Sequence, residues 1–361
     1  MIQIGYLRSS NFGLIHSPSF ADKKTIFYIA KHFGIELIYF NPERINLKDK
    51  TITGHILEGL EWKRVTVPVP KVIDNMPRLE PYIRSFLEQT STLLTTPFTH
   101  KGKRISKIQT YQYMTENGDF KDILIPSFLL HKTQSYPYID ILAALEKYQS
   151  VILKPYGGSK GSNIHKITKL DTEKYSVLIN KVCTEYSKWE LLDFLNAGNF
   201  IKRYMLQPYI PSVTKNKEPF DIRILIRRKS VQPLFETFIF PRIGSAEGVV
   251  SNIHTGGYTM PVGDFLKLQY GDEAENILKR LQDLADTFPL FYQEYVDTPI
   301  FDLGLDIGIV KNSHGEYTFN LFEVNYWCAN LNCQLKMALG TVNYYKELYA
   351  AALERENKIA E

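Results

Sequence analysis

The chain has 361 residues, 44% of them apolar and 23% charged. That is enough for two or three domains with packed cores, and too apolar for a disordered chain. Lys and Arg number 43 against 39 Asp and Glu, a net charge of +4 with no basic block, so a nucleic-acid-binding arm is excluded and the many Tyr and Phe read as core. No run reaches the ~18 apolar residues of a membrane span, and the first ten residues, MIQIGYLRSS, alternate like a strand rather than a signal peptide. Cys183, Cys328 and Cys333 cannot frame disulfides for a chain this long, and none lies in a CxxC. A reducing, cytoplasmic setting is expected, with no membrane or nucleic-acid partner.

Residues 1–98 predict a small α/β unit. Ile2–Leu7, Glu36–Phe40 and Lys71–Asp74 read as strands, and Lys23–Phe33 and Arg78–Leu87 as helices, an alternation that predicts a partly parallel sheet. Residues 99–205 form a second segment, with helices at Lys107–Asn117, Ile139–Tyr148 and Lys188–Ala197. Its strands at Val151–Leu153 and Asn163–Ile167 flank a glycine-rich turn. In residues 206–361 strands dominate (DIRILIRR, LFETFIFPR, LGLDIGIV, YTFNLFEVN), joined by a helix at Glu273–Phe288 and closed by one at Tyr344–Arg355. The fold class is α/β to α+β.

Three stretches carry chemistry. In Val151–Ile164 an apolar strand delivers Lys154, and Gly157, Gly158, Ser159 and Gly161 follow. Glycines let several backbone N–H groups face one anion, and Lys adds a point charge suited to phosphate. A glycine-rich hairpin with a solvated lysine is the competing reading. Second, if Lys311 pairs with Glu316, Asp306 lies opposite Leu321, with Glu323 as its diagonal neighbour and Asn325 next along. Two carboxylates and an amide oxygen are hard donors that suit Mg²⁺ shared with phosphates; a polar hairpin edge is the alternative. Third, Asp221 and Arg223 share a face of Phe220–Arg228. Pairing Arg227 with Leu234 brings Arg242 to that same face, so two guanidiniums could meet a transferring phosphoryl group. An Asp221–Arg223 surface pair competes for Asp221. Downstream, Asn252 sits in the loop SNIHTGG, where His254 reads as a solvated residue rather than a base.

Taken in order, ILKPYGGSKGSNI, MLQPYIP, PFDIRILIRR, PRIGSAEGVVSNIHTGG and LGLDIGIV…NLFEVN resemble the ATP-grasp superfamily, and most closely its YheC/YheD group, described as endospore coat-associated. The resemblance spans roughly residues 100–345 and implies an ATP-grasp fold with a Rossmann-like leader. By the same resemblance, Lys154 and Lys107 contact nucleotide phosphates and Gly157 to Gly161 form the loop over them. Gln207, Pro208, Tyr209 and Ile210 form the hinge that reads adenine, with Asp221 counted in the nucleotide-contacting set. Asp306, Glu323 and Asn325 hold one or two Mg²⁺ (or Mn²⁺) ions, and Arg223, Arg242 and Asn252 face the γ-phosphate and acyl intermediate.

The activity implied is ATP- and Mg²⁺-dependent ligation of a small-molecule or peptide carboxylate to an amine through an acyl phosphate, in the cytoplasm or at the spore, where coat proteins are expected partners. Two alternatives use the same fold: a nucleotide-binding structural protein of the spore coat that has lost ligation, and a small-molecule kinase. The family commonly follows EVN with a Ser-Lys-Pro-Gly-like turn. Here Asn325 precedes Tyr326, Trp327, Cys328, Ala329 and Asn330, aromatics expected either to reshape the acceptor pocket or to mark a loss of catalysis, with Cys328 read as a buried thiol.

Overall fold

The computed structural model describes residues 1–8, 21–75, 79–90, 92–95, 99–100, 103–130, 138–155, 163–198, 200, 204–246, 248–249, 251, 256–326 and 334–360. Its first sheet is built from β1 (Ile2–Leu7), β2 (Ile35–Phe40), β3 (Ile45–Asn46), β4 (Thr51–Glu58), β5 (Glu61–Pro68), β6 (Val72–Asp74) and β7 (Leu93–Leu94), with helices α1 (Ala21–His32) and α2 (Pro81–Gln89) between strands. The strands β2, β1, β6 and β7 are parallel neighbours in that order, while β4 joins β2 antiparallel and carries β5 on its other side. The sequence reading anticipated the parallel strands but passed over the β4–β5 hairpin. Gly59 opens that turn at φ 59°, a left-handed conformation that glycine adopts without strain.

A two-stranded ribbon, β8 (Thr99–His100) and β9 (Lys103–Arg104), leads to α3 (Lys107–Asn117). Ser106 and Gln109 close a capping box that fixes where α3 starts. The second sheet follows: β10 (Phe128–Leu129), β11 (Ser150–Pro155), β12 (His165–Lys169), β13 (Lys174–Ile179), β14 (Val182–Ser187) and β15 (Tyr204–Pro208), with α4 (Tyr138–Tyr148) and α5 (Lys188–Ala197). It is antiparallel throughout, in the order β10-β15-β11-β12-β13-β14. Val151, Leu153, Ile167 and Val177 pack on Leu145 of α4 and Leu191 of α5. Alternation along β11 therefore turns Lys154 to the opposite face.

The third sheet is also antiparallel: β16 (Phe220–Arg228), β17 (Phe235–Ile243), β18 (Asp302–Lys311) and β19 (Tyr317–Asn325), ordered β17-β16-β18-β19. Between β17 and β18 run α6 (Val262–Tyr270) and α7 (Ala274–Tyr295), and α8 (Gln334–Ala360) follows β19. Ile222, Ile224, Ile226, Leu305 and Ile307 bury one face against Leu281, Phe288 and Tyr292 of α7, as the triple-isoleucine alternation required. The sequence reading ended α7 at Phe288, yet the helix runs through Pro289. Proline forfeits a backbone hydrogen bond there, and burial of Pro289, Phe291 and Tyr292 in the core offsets the loss. The closing helix is longer than expected and serves two cores, packing Val342, Tyr345 and Leu348 on the first sheet and Met337 on Leu225 of the third. No helix among the described residues is long and apolar enough to cross a membrane.

Candidate active site

The third sheet turns its other face towards Lys154 of the second, and the polar residues singled out in the sequence gather between them. Strand β16 is buried on both faces, so its charged side chains need partners. They find them across strands rather than along one. Asp221 pairs with Arg242 and Arg223 with Asp306 in the ladder. The Arg242 guanidinium donates to both Asp221 oxygens, Nε to Oδ1 at 2.7 Å and Nη2 to Oδ2 at 2.6 Å. Arg223 donates to both oxygens of Asp306, at 2.5 and 3.1 Å. Arg242 Nη2 also reaches Asp306 Oδ2 at 2.9 Å, linking the two pairs. The expected Arg227–Leu234 register is off by two residues, since Arg227 faces Glu236. A slip of two preserves the faces, so Arg223 and Arg242 still share one.

The β18–β19 register also differs from expectation. Lys311 faces Tyr317 rather than Glu316, and a bulge between Asp306 and Ile307 shifts the pairing again. Asp306 therefore stands directly opposite Glu323, and Asn325 opposite Gly304, instead of Glu323 lying on the diagonal. The bulge brings the two carboxylates closer in the ladder than the sequence argument had them. Asn325 Nδ2 donates to Asp306 Oδ2 at 3.1 Å.

Two lysines close the opposite side. Lys107, at the first turn of α3, forms an ion pair with Glu323. Lys154 donates to the Phe322 carbonyl at 2.9 Å, the residue opened up by the bulge. Burial pushes the Lys154 ammonium down to about 8, with Lys107 adding repulsion and Asp306 opposing it. Burial lowers Lys107 too, against the attraction of Asp306. Asp306 is buried, which favours its neutral form, yet Arg242 and Arg223 hold its carboxyl below the ordinary value. On this face Lys107, Lys154, Arg223 and Arg242 stand against Asp221, Asp306 and Glu323, an excess of one positive charge. Such a surface is matched to an anion.

The 207–210 segment leaves the end of β15 and leads from the second sheet to the third. Gln207 Nε2 donates to Ser127 Oγ at 2.5 Å, and Lys166 lies 3.7 Å from the Tyr209 ring centroid. Beside Ser127 a cavity of about 790 Å³ opens between Tyr111 of α3 and Tyr148 of α4. Gly157, Gly158, Ser159, Gly161, Asn252, His254, Cys328 and Cys333 lie outside the described residues.

Sequence reasoning missed three supports. Ser251 donates to Asp221; its place beside Asn252 in SNIHTGG was the only signal. The Tyr326 hydroxyl bonds Thr110 of α3 and lies 2.7 Å from Tyr292 of α7, which anchors the end of β19 next to Asn325. Arg227, four residues along β16, binds Asp302 at 3.0 Å and Thr341 of α8 at 3.2 Å, continuing the ionic stripe towards the first sheet.

Residues 95–337 match the family model described as YheC/D like ATP-grasp. The chain is 22% identical to endospore coat-associated protein YheD of Bacillus subtilis over 76% of its own length and 61% of that protein's, so it spans about three fifths of that relative. It is 22% identical to YheC of the same organism, over 78% of this chain and 79% of that one. Among solved structures, D-alanyl-alanine synthetase A of Vibrio cholerae superposes with a TM-score of 0.52 at 11% identity, covering 98% of each chain. N5-carboxyaminoimidazole synthetase of Staphylococcus aureus gives 0.51 at 9% identity, covering 95% of this chain and 77% of that one. These likenesses establish the ATP-grasp α+β fold.

Proposed function

Because the chain belongs to the YheC/D-like ATP-grasp family, we propose that it is an ATP-dependent carboxylate–amine ligase working through an acyl phosphate, with a role at the endospore coat like that named for its relatives. The observation that carries this reading is the cation-rich cluster where Lys107 and Lys154 meet the third sheet, in which two carboxylates stand directly opposite each other across β18 and β19. Each of the three carboxylates is held by Lys107, Arg223 or Arg242, while Lys154 donates to the Phe322 carbonyl, so the face keeps an excess of one positive charge. A bare cation gains little from carboxylates already held by Lys and Arg. A triphosphate can draw Lys107, Lys154 and Arg242 to itself, freeing oxygens for the ion it brings. The donor set thus fits Mg²⁺ arriving with ATP, held by Asp306, Glu323 and Asn325. Bound there, the ion would neutralise phosphate oxygens.

The chain's own groups then have distinct tasks. Lys107 and Lys154 hold the phosphates, with the backbone of Gly157, Gly158, Ser159 and Gly161 over them, and Gln207, Pro208, Tyr209 and Ile210 hold the base. A substrate carboxylate attacks the γ-phosphorus and ADP leaves. Arg223, Arg242 and Asn252 face the negative charge that develops on the transferred group. An amine then attacks the acyl carbonyl and phosphate departs. The buried Asp221–Arg242–Asp306–Arg223 chain holds both guanidiniums on one face before substrate arrives; Arg242 then exchanges its single contact to Asp306 for the phosphate while keeping both bonds to Asp221.

The test is ADP release over a panel of amino acids and peptides, with hydroxylamine to trap an acyl phosphate. Acceptor-dependent ADP formation with an amide product is expected. Glu323→Gln and Asn325→Ala should each lose Mg²⁺-dependent turnover while keeping the fold by circular dichroism. Unchanged turnover in both variants would remove the hairpin from the site. Nucleotide binding without turnover of any acceptor would refute the ligase reading.

A further inference from the structure

The third sheet carries an enclosed polar group outside the ligase roles already given. Phe319 and Leu321 of β19 belong to the core formed with α7, so alternation turns Asn320, between them, to the opposite face. Its ladder partner is Gly308, two residues along β18 from Asp306, roughly 7 Å, and on the same face as that carboxylate. A Cβ on Gly308 would lie 2.3 Å from the Phe322 ring. The ring therefore covers the glycine on this face, beside Asn320.

Asparagine is a poor strand former, and this one gains no bond in return. The residue is half-buried, yet its Nδ2 is enclosed and meets no acceptor among the described residues. An enclosed donor left unpaired costs stability and is rare in folded proteins. Two landmarks on the hairpin say what would complete it. Towards one end stand Asp306 and Glu323, with Lys154 on the Phe322 carbonyl. Towards the other, Ile309 N–H donates to Ser212 Oγ at 3.1 Å, and Ser212 follows the Gln207–Ile210 segment by two residues. Gly308 and Asn320 lie between the two. With phosphates at the first end and the base at the second, the nucleoside passes over this patch. Ribose and base both offer acceptors, whereas the phosphates already have cations.

We infer that Asn320 is a nucleoside-recognising residue, its Nδ2 donating to an acceptor on the sugar or the base. This rests on the ATP-site reading above and adds to it a contact that distinguishes a nucleotide from a bare polyphosphate.

The experiment titrates the full chain calorimetrically, in Mg²⁺, with tripolyphosphate, ribose 5′-triphosphate and ATP. Asn320→Leu keeps the size and removes the donor. It should bind ATP about tenfold more weakly than the parent and tripolyphosphate equally well, and Asn320→Ala should repeat that selectivity. Ribose 5′-triphosphate locates the acceptor: a tenfold difference between parent and Asn320→Leu assigns it to the sugar, and no difference to the base. Without ligand, Asn320→Leu should melt no lower than the parent, because an unpaired enclosed donor has been removed. A residue serving the fold alone would lower the melting temperature and leave the ratio of ATP to tripolyphosphate affinity unchanged, which would overturn the inference. Equal ATP binding by parent and variants would also overturn it, and the ligase reading would stand. A parent that binds neither ATP nor tripolyphosphate would remove both.

Discussion

Replacing Asp306 by Asn probes the ionic chain at its most connected point. Its carboxylate receives two bonds from Arg223 at 2.5 and 3.1 Å, one from Arg242 at 2.9 Å and one from Asn325 at 3.1 Å, in a position only 5% exposed. An amide keeps one acceptor oxygen, and its NH₂ faces guanidinium. Arg242 retains Asp221, whereas Arg223 loses its carboxylate while still buried. Removing one partner of a buried ion pair costs about 3–5 kcal/mol, which lowers the melting temperature by something on the order of 10 °C. Calorimetry on the nucleotide-free protein at neutral pH measures it. The double variant Arg223→Met, Asp306→Leu strands no charge from this pair and should recover most of the loss. The fold holds the Asp306 carboxyl below its ordinary value. Its contribution is therefore complete above about pH 4 and fades as pH falls through the folded value, so parent and Asp306→Asn should converge in acid. A single variant that melts within a degree of the parent at neutral pH would refute the reasoning, as would a double variant no better than the single.

Two further outcomes follow from the same geometry. Burial pushes the Lys154 ammonium down to about 8, so nucleotide affinity should fall as pH rises through 8, by up to about tenfold per unit. Lys154→Met should bind weakly with a flat profile in fluorescent-nucleotide titrations, and a parent profile flat to pH 10 would contradict the assignment. Apo stability carries the opposite sign: the folded pKa lies below the unfolded one, so stability increases from pH 8 towards the ordinary lysine value. Gly308→Ala would place a Cβ 2.3 Å from the Phe322 ring. The ring must shift, costing about 1–3 kcal/mol. Because the Phe322 carbonyl accepts from Lys154, nucleotide affinity should fall with stability; stability loss alone in paired denaturation and binding titrations would uncouple the two.

Much of this architecture was legible in the chain. Ile222, Ile224 and Ile226 announced a half-apolar strand, and the order of five motifs announced the family. Side-chain partners were not legible. Residues two apart on one strand share a face, which made Asp221–Arg223 look like a pair. Directly opposed residues on neighbouring strands stand closer, and Arg242 and Asp306 took those positions. The bulge at Asp306 was invisible, because an inserted residue leaves the alternation on either side intact. The β13–β14 hairpin was overlooked because Asn180–Lys181 lacks the glycine that usually marks such a turn. The partners of Tyr326 were hidden for another reason: Thr110 and Tyr292 are contributed by distant helices.

The position of α8 has a consequence for how the protein is made. Ile4, Phe27 and Leu37 share a core with Val342, Tyr345, Leu348 and Ala352. The strands of the first sheet thus lack part of their apolar cover until α8, some three hundred residues downstream, has been translated. A nascent chain would normally complete its leading unit early. Here that unit stays partly open until α8 emerges and seals it, bringing Thr341 to Arg227 and Met337 to Leu225.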